Sequence, residues 1–80
     1  MSGILVVRNR QPQAIVVVIE PWGEERRLDQ GQAVRVRYSS ASIGELSIEA
    51  SPGYISIYPW TRPPCLLEFL DEDSSATEPT

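Results

Sequence analysis

The chain has 80 residues, 41% of them hydrophobic, and a formal net charge of −4. A chain of this length forms one domain at most, and its hydrophobic content argues against a wholly disordered polypeptide. All seven arginines lie between Arg8 and Arg62 and lysine is absent, whereas four of the eleven acidic residues lie in the last ten positions. The body is therefore formally neutral, which disfavours nucleic-acid binding because a phosphate-binding face normally makes a domain basic.

The composition also argues against metal binding and catalysis. Histidine is absent, Cys65 is the one cysteine and Met1 the one methionine, so zinc and copper lack ligands and we expect no cofactor. A cysteine without a histidine to activate it is more typical of a small core residue than of a nucleophile. We therefore expect no enzyme.

The N-terminal sequence MSGILVV carries no basic residue ahead of its apolar residues, and no apolar run is long enough to cross a membrane. A single cysteine excludes an internal disulfide and gives no sign of an oxidising compartment. These features predict a cytoplasmic protein.

About seven short strands, separated by turn-forming residues, follow one another along the chain. They are Ile4–Val7, Ala14–Ile19, Glu24–Leu28, Ala33–Ser39, Glu45–Ala50, Tyr54–Tyr58 and Cys65–Leu70. The last ten residues, DEDSSATEPT, are acidic and lack apolar patterning. We therefore predict a single domain over residues 1–70 and a disordered acidic tail over residues 71–80.

The first two strands are apolar on both faces. The polar residues Arg8–Gln13 between them predict a hairpin with a long connection. The β-branched run AIVVVI predicts a strand buried on both faces. Pro21-Trp22-Gly23 ends this run, because proline cannot donate to a ladder and glycine accepts a positive φ, and it predicts a tight corner.

The alternation of the fourth predicted strand places Arg35 and Arg37 on one face and its apolar residues on the other. If this strand pairs with Glu24–Leu28, the core face takes Leu28 and the outer face takes Arg27. Arg27, Arg35 and Arg37 would then form a basic stripe for phosphate or an acidic partner. The neutral body favours the alternative, which is an ordinary solvated face.

The later strands complete the predicted fold. Glu45–Ala50 directs Leu46, Ile48 and Ala50 inward. Strands with regular turn signals and no helical period predict an all-β fold, either a small antiparallel sandwich or a barrel.

The aromatic residues are candidates for binding. Tyr54 and Tyr58 alternate with isoleucines and point to the opposite face. Together with Trp60 or Trp22, they would form an exposed patch for a sugar ring or a protein partner. The alternative is that the tryptophans close the ends of a small core, which we favour for Trp22 and leave open for Trp60.

Two strands that are apolar on both faces are hard to cover twice in so short a chain. Either they lie inside a closed barrel or a second chain covers one face. The function most consistent with the sequence is a non-catalytic protein-interaction or homo-oligomerisation module, acting as a homodimer or with an unknown protein partner. The alternatives are carbohydrate or small-ligand binding through exposed Trp and Tyr, and weak nucleic-acid binding through the arginine stripe.

The segment Glu20-Pro21-Trp22-Gly23-Glu24, followed by Leu28 and Gly31, resembles a segment of short uncharacterised bacterial β-proteins. In that group an apolar strand runs into EPWG, and a polar strand and a Leu-x-x-Gly turn follow. The resemblance covers about twelve residues. It implies a small bacterial β-domain and carries no activity or site residue.

Overall fold

The computed structural model describes residues 1–70. The tail predicted over residues 71–80 lies outside the described residues. Within them the fold is all-β and consists of seven strands. The strands are β1 (Ser2–Arg8), β2 (Ile15–Ile19), β3 (Glu24–Leu28), β4 (Ala33–Ser40), β5 (Ser47–Ser51), β6 (Tyr54–Tyr58) and β7 (Cys65–Phe69).

The strands form two sheets that pack as a sandwich and not as a closed barrel. One sheet has three strands in the order β1-β4-β7, and the other has four in the order β3-β2-β6-β5. Neighbouring strands are antiparallel except for β2 and β6, which are parallel. We call them the three-stranded and the four-stranded sheet.

The core lies between the sheets and follows from the alternation of each strand. β2 buries Ile15, Val17 and Ile19, and β7 buries every second residue in the same way. The buried hydrophobic residues are Ile15, Val17, Ile19, Leu28, Val34, Val36, Ile57, Cys65, Leu67 and Phe69. The prediction that Cys65 is a core residue is confirmed.

Two predicted pairings are wrong. The first two strands do not form a hairpin, because β1 pairs with β4 and β2 lies in the other sheet. β3 pairs with β2 and not with β4. The short turn over residues 20–23 folds β3 back onto β2, and the connection from β3 to β4 crosses between the sheets. Proximity along the chain therefore does not determine which strands pair in this fold.

The prediction that β2 is buried on both faces is also wrong. Its inner residues are buried, whereas Val16 and Val18 on the outer face are half-buried. Side chains of the neighbouring strands partly bury these two valines. Val16 lies opposite Arg27 and Tyr54, and Val18 lies opposite Glu25.

The predicted corner after β2 is confirmed. Gly23 has φ of 76°, and its N–H donates to the Ile19 carbonyl at 2.9 Å. A second Pro-Trp pair, Pro59-Trp60, follows the neighbouring parallel strand β6. It lies at the same level, since Ile19 lies opposite Ile57. The two Pro-Trp pairs therefore leave the same end of the four-stranded sheet.

The other end of the sandwich is held by Asn9, which is 1% exposed. Its side-chain amide donates to the carbonyls of Gln13 at 2.8 Å and Leu28 at 3.0 Å, and its Oδ1 accepts the Gln11 N–H at 2.9 Å. Its backbone exchanges bonds with the turn before β4, donating to the Gln32 carbonyl at 2.9 Å and accepting the Gly31 N–H at 2.7 Å. Asn9 thus joins the two connections that cross between the sheets.

Candidate functional site

The two long sides of the sandwich differ in how well their inner residues are covered. On one side the guanidinium of Arg26, on β3, stacks over the ring of Phe69, on β7, at 4.6 Å. On the other side the edge strands are β1 and β5, and the inner residues are less well covered. Leu5 is only partly buried, and Ile48 is 53% exposed. The predicted inward direction of Ile48 and Ala50 is confirmed, because both lie opposite the inner residues of β6, but both side chains remain exposed.

The direction of the backbone groups of β1 follows from its two ends. Met1 exchanges two backbone hydrogen bonds with Ser40: its amine donates to the Ser40 carbonyl at 2.7 Å, and its carbonyl accepts the Ser40 N–H at 2.8 Å. At the other end the Asn9 N–H donates to the Gln32 carbonyl. The register between β1 and β4 is continuous, and bonded pairs alternate in an antiparallel ladder. The odd-numbered residues of β1 therefore bond to β4. The even-numbered ones direct N–H and C=O to an edge that no strand within residues 1–70 pairs with.

The even-numbered residues of β1 are also uncovered as side chains. Ile4 is 46% and Val6 55% exposed on the outer face of the three-stranded sheet. Edge strands in stable monomers usually carry charges or proline that prevent pairing with another chain. β1 has no charged residue or proline between Ser2 and Val7. The other three described edges do have such residues, namely four charges in β3, Glu49 in β5 and Glu68 in β7.

A groove of about 470 Å³ runs between the start of β1 and the loop that precedes β5. We call it the β1 groove. Its lining is Met1, Ser2, Ile4, Leu5, Tyr38, Ile43, Gly44, Leu46 and Trp60. Of these, Met1 and Ile43 are strongly exposed. The β1 groove is therefore an apolar depression directly beside a strand edge that is unpaired among the described residues.

Trp60 forms the rigid wall of the β1 groove. Its Nε1–H donates to Ser40 Oγ at 3.2 Å, and this hydroxyl donates to the Pro64 carbonyl at 2.9 Å. Tyr38 meets the indole edge-to-face, with centroids 6.3 Å apart and planes at 65°. Gly44 lies against the ring so closely that a Cβ at this position would collide with it. The ring is thus held from several sides and presents its remaining surface to the groove.

The predicted aromatic patch is not assembled. Trp60 is in the β1 groove, whereas Tyr54 and Tyr58 are exposed on the outer face of the four-stranded sheet. Trp22 is 46% exposed beside Leu66, so the interpretation that Trp22 closes the core is wrong. Tyr54 lies instead in a shallow groove of about 400 Å³ with two valines and Glu25.

The predicted arginine stripe is divided between the sheets. Arg35 and Arg37 lie on the outer face of the three-stranded sheet, and Arg37 pairs with Glu68 at 3.4 Å. Arg27 belongs to the four-stranded sheet and pairs with Asp29 at 3.3 Å. The stripe required β3 to pair with β4, which it does not. Each of these exposed arginine–carboxylate ion pairs contributes little to stability.

Cys65 is buried on the inner face of β7. Burial raises the pKa of its thiol above the ordinary value of 9.0, and a hydrogen bond with the Ser39 backbone offsets part of this effect. A thiol in this state is a poor nucleophile. Among residues 1–70, His, Cys, Asp and Glu side chains form no cluster of three that could hold a metal ion.

No protein-family model, curated protein or solved structure matches this chain. In the described part of the chain no helix is long and apolar enough to span a membrane.

Proposed function

We propose that this chain is a non-catalytic protein-interaction module whose binding surface is the β1 edge together with the β1 groove. The observation that carries the proposal is that β1 leaves both its outward backbone groups and its apolar side chains Ile4 and Val6 uncovered. Contiguous apolar surface beside an unpaired edge is typical of interaction sites. The rigid Trp60 supplies the kind of aromatic anchor that dominates binding energy at protein interfaces.

Two measurements on the full chain test this function. Sedimentation velocity across the micromolar range measures self-association. Selection from a displayed library of random peptides, with the folded chain as bait, measures binding in trans. We expect at least one of them to be positive, and we expect Ile43→Asp to abolish it, because this change places a charge in the β1 groove.

The matched control is Leu66→Asp, which introduces the same charge at another exposed apolar position on β7. It should leave the interaction unchanged. A chain that stays monomeric and selects no peptide, or an interaction that Ile43→Asp leaves intact, would refute the proposed surface.

Carbohydrate binding is the second candidate, and Tyr54 favours it. This exposed ring borders a shallow groove over Val16 and Val18, with the Glu25 carboxylate as a hydrogen-bond acceptor. An aromatic face next to a carboxylate suits a sugar ring. Both tryptophans lie in other grooves, so the informative readout is the NMR signal of the Tyr54 ring during titration with oligosaccharides. An unmoved signal removes this candidate.

A further inference from the structure

We infer that the β1 edge receives an extended segment of a partner protein as a fourth strand of the three-stranded sheet. The inference rests on the proposed function and names the mode of binding and the chemistry of the partner. The partner segment pairs with β1 through its backbone and carries apolar side chains at every second position.

The backbone of β1 determines the pairing. Ser2, Ile4, Val6 and Arg8 direct N–H and C=O groups to the free edge, because the odd-numbered residues are bonded to β4. An antiparallel segment opposite these four residues forms a bonded pair at each of them, with two hydrogen bonds in every pair. Continuous register from Ser2 to Arg8 means that no bulge interrupts the edge. The edge is thus a regular template about seven residues long.

The uncovered inner residues determine the side-chain pattern of the partner. The sandwich packs four strands over three, and the inner residues of β5, Ile48 and Ala50, remain exposed. Because β3 lies over β7 on the far side, through Arg26 and Phe69, an added strand beside β1 takes the position under β5. It covers these residues across the spacing of about 10 Å between facing sheets. Its inward side chains contact Ile48 and Leu5 and reach the β1 groove, while its outward side chains lie beside Ile4 and Val6. Inward positions therefore require apolar residues, and outward positions accept polar ones.

Neither this chain's own tail nor a second copy fits the edge as well. Residues 71–80 contain four acidic residues and only Ala76 as an apolar residue, so they cannot supply alternating apolar side chains. A symmetric β1–β1 pair has its two-fold axis perpendicular to the sheet, which places both four-stranded sheets on one face. The two β5 strands would then occupy the same space above the β1–β1 interface. A single extended segment has no second sheet to accommodate.

The test uses a displayed library of random twelve-residue peptides as probe and the full chain as bait. Val6→Pro is the decisive variant, because it removes an edge-facing N–H and leaves every β1–β4 hydrogen bond in place. Thermal unfolding and a ¹⁵N–¹H spectrum verify that the variant is folded. Ile4→Lys is the second variant, since it puts a charge on the edge without any backbone change. Leu66→Lys is its control on another strand.

We expect enriched peptides to carry apolar residues at alternating positions and to lose at least tenfold in affinity for Val6→Pro and Ile4→Lys. Leu66→Lys should bind them like the original chain. Peptides that bind Val6→Pro as well as the original chain, but not Ile43→Asp, overturn strand addition while leaving the groove as the interface. A dimer that Val6→Pro dissociates, without peptide enrichment, makes a second copy the occupant and overturns the partner segment. No enrichment and no self-association overturn both this inference and the proposed function.

Discussion

Replacing Asn9 by alanine should destabilise the fold more than most substitutions of a polar residue would. The Asn9 side chain is buried and makes three hydrogen bonds to backbone groups of residues 11, 13 and 28. Only an amide NH₂ can serve two carbonyl oxygens and leave an oxygen for an N–H, so no other small side chain replaces it. Alanine leaves the buried Leu28 carbonyl without this donor.

The expected magnitude follows from the three bonds. Each net hydrogen bond contributes about 1 kcal/mol, and a buried group left unsatisfied costs about 1–3 kcal/mol. Asn9→Ala should therefore lower the free energy of unfolding by about 3 kcal/mol. A chain of this size has roughly 4–12 kcal/mol in total, and the melting temperature should fall by roughly 12–24 °C. Asn9→Asp should lower the free energy of unfolding further at neutral pH, because a carboxylate would face two carbonyl oxygens.

Urea unfolding followed by circular dichroism measures the effect. The matched control is Gln13→Ala, because Gln13 contributes only its backbone carbonyl to the Asn9 network and an exposed substitution usually changes stability by less than about 0.5 kcal/mol. If Asn9→Ala unfolds at the same urea concentration as Gln13→Ala, or if Asn9→Asp is as stable as the original chain, then Asn9 does not hold the two connections together.

Three further predictions concern the core and its borders. Gly44→Ala should push the Trp60 ring aside and lower the free energy of unfolding by about 1–3 kcal/mol. The tryptophan fluorescence should change, and an unchanged spectrum would contradict the close contact. Arg26→Met should lower the free energy of unfolding by about 0.5–1 kcal/mol, because the cation–π contact with Phe69 is lost. The urea midpoint should fall, and an unchanged midpoint would show that the stacking is not stabilising. Because the pKa of the Cys65 thiol is raised in the folded state, the unfolded thiol ionises first. Stability should be complete below the ordinary value of 9.0 and fall as pH rises above it. Cys65→Ala should show a smaller fall over the same range in urea titrations, and parallel curves would argue against this linkage.

The candidate site could be predicted from the sequence only in part. The apolar residues on both faces of Ile4–Val7 indicate that a second surface must cover one face. They do not say that β1 is an edge strand, because edge position depends on which of the other strands it pairs with. The β1 groove brings residues from Met1 to Trp60 together, and no local pattern relates residues so far apart along the chain.

The residue pattern alone predicts about seven strands, their approximate bounds, the inner residues of β4 and the corner at Gly23. These features depend on the period of two and on the φ preferences of proline and glycine, which act within a few residues. Packing between distant parts of the chain determines that β3 pairs with β2, that β2 and β6 run parallel, and that β1 is an edge strand among the described residues. An alternating strand offers the same backbone donors and acceptors to every neighbour, so its partner is selected by packing across the whole core.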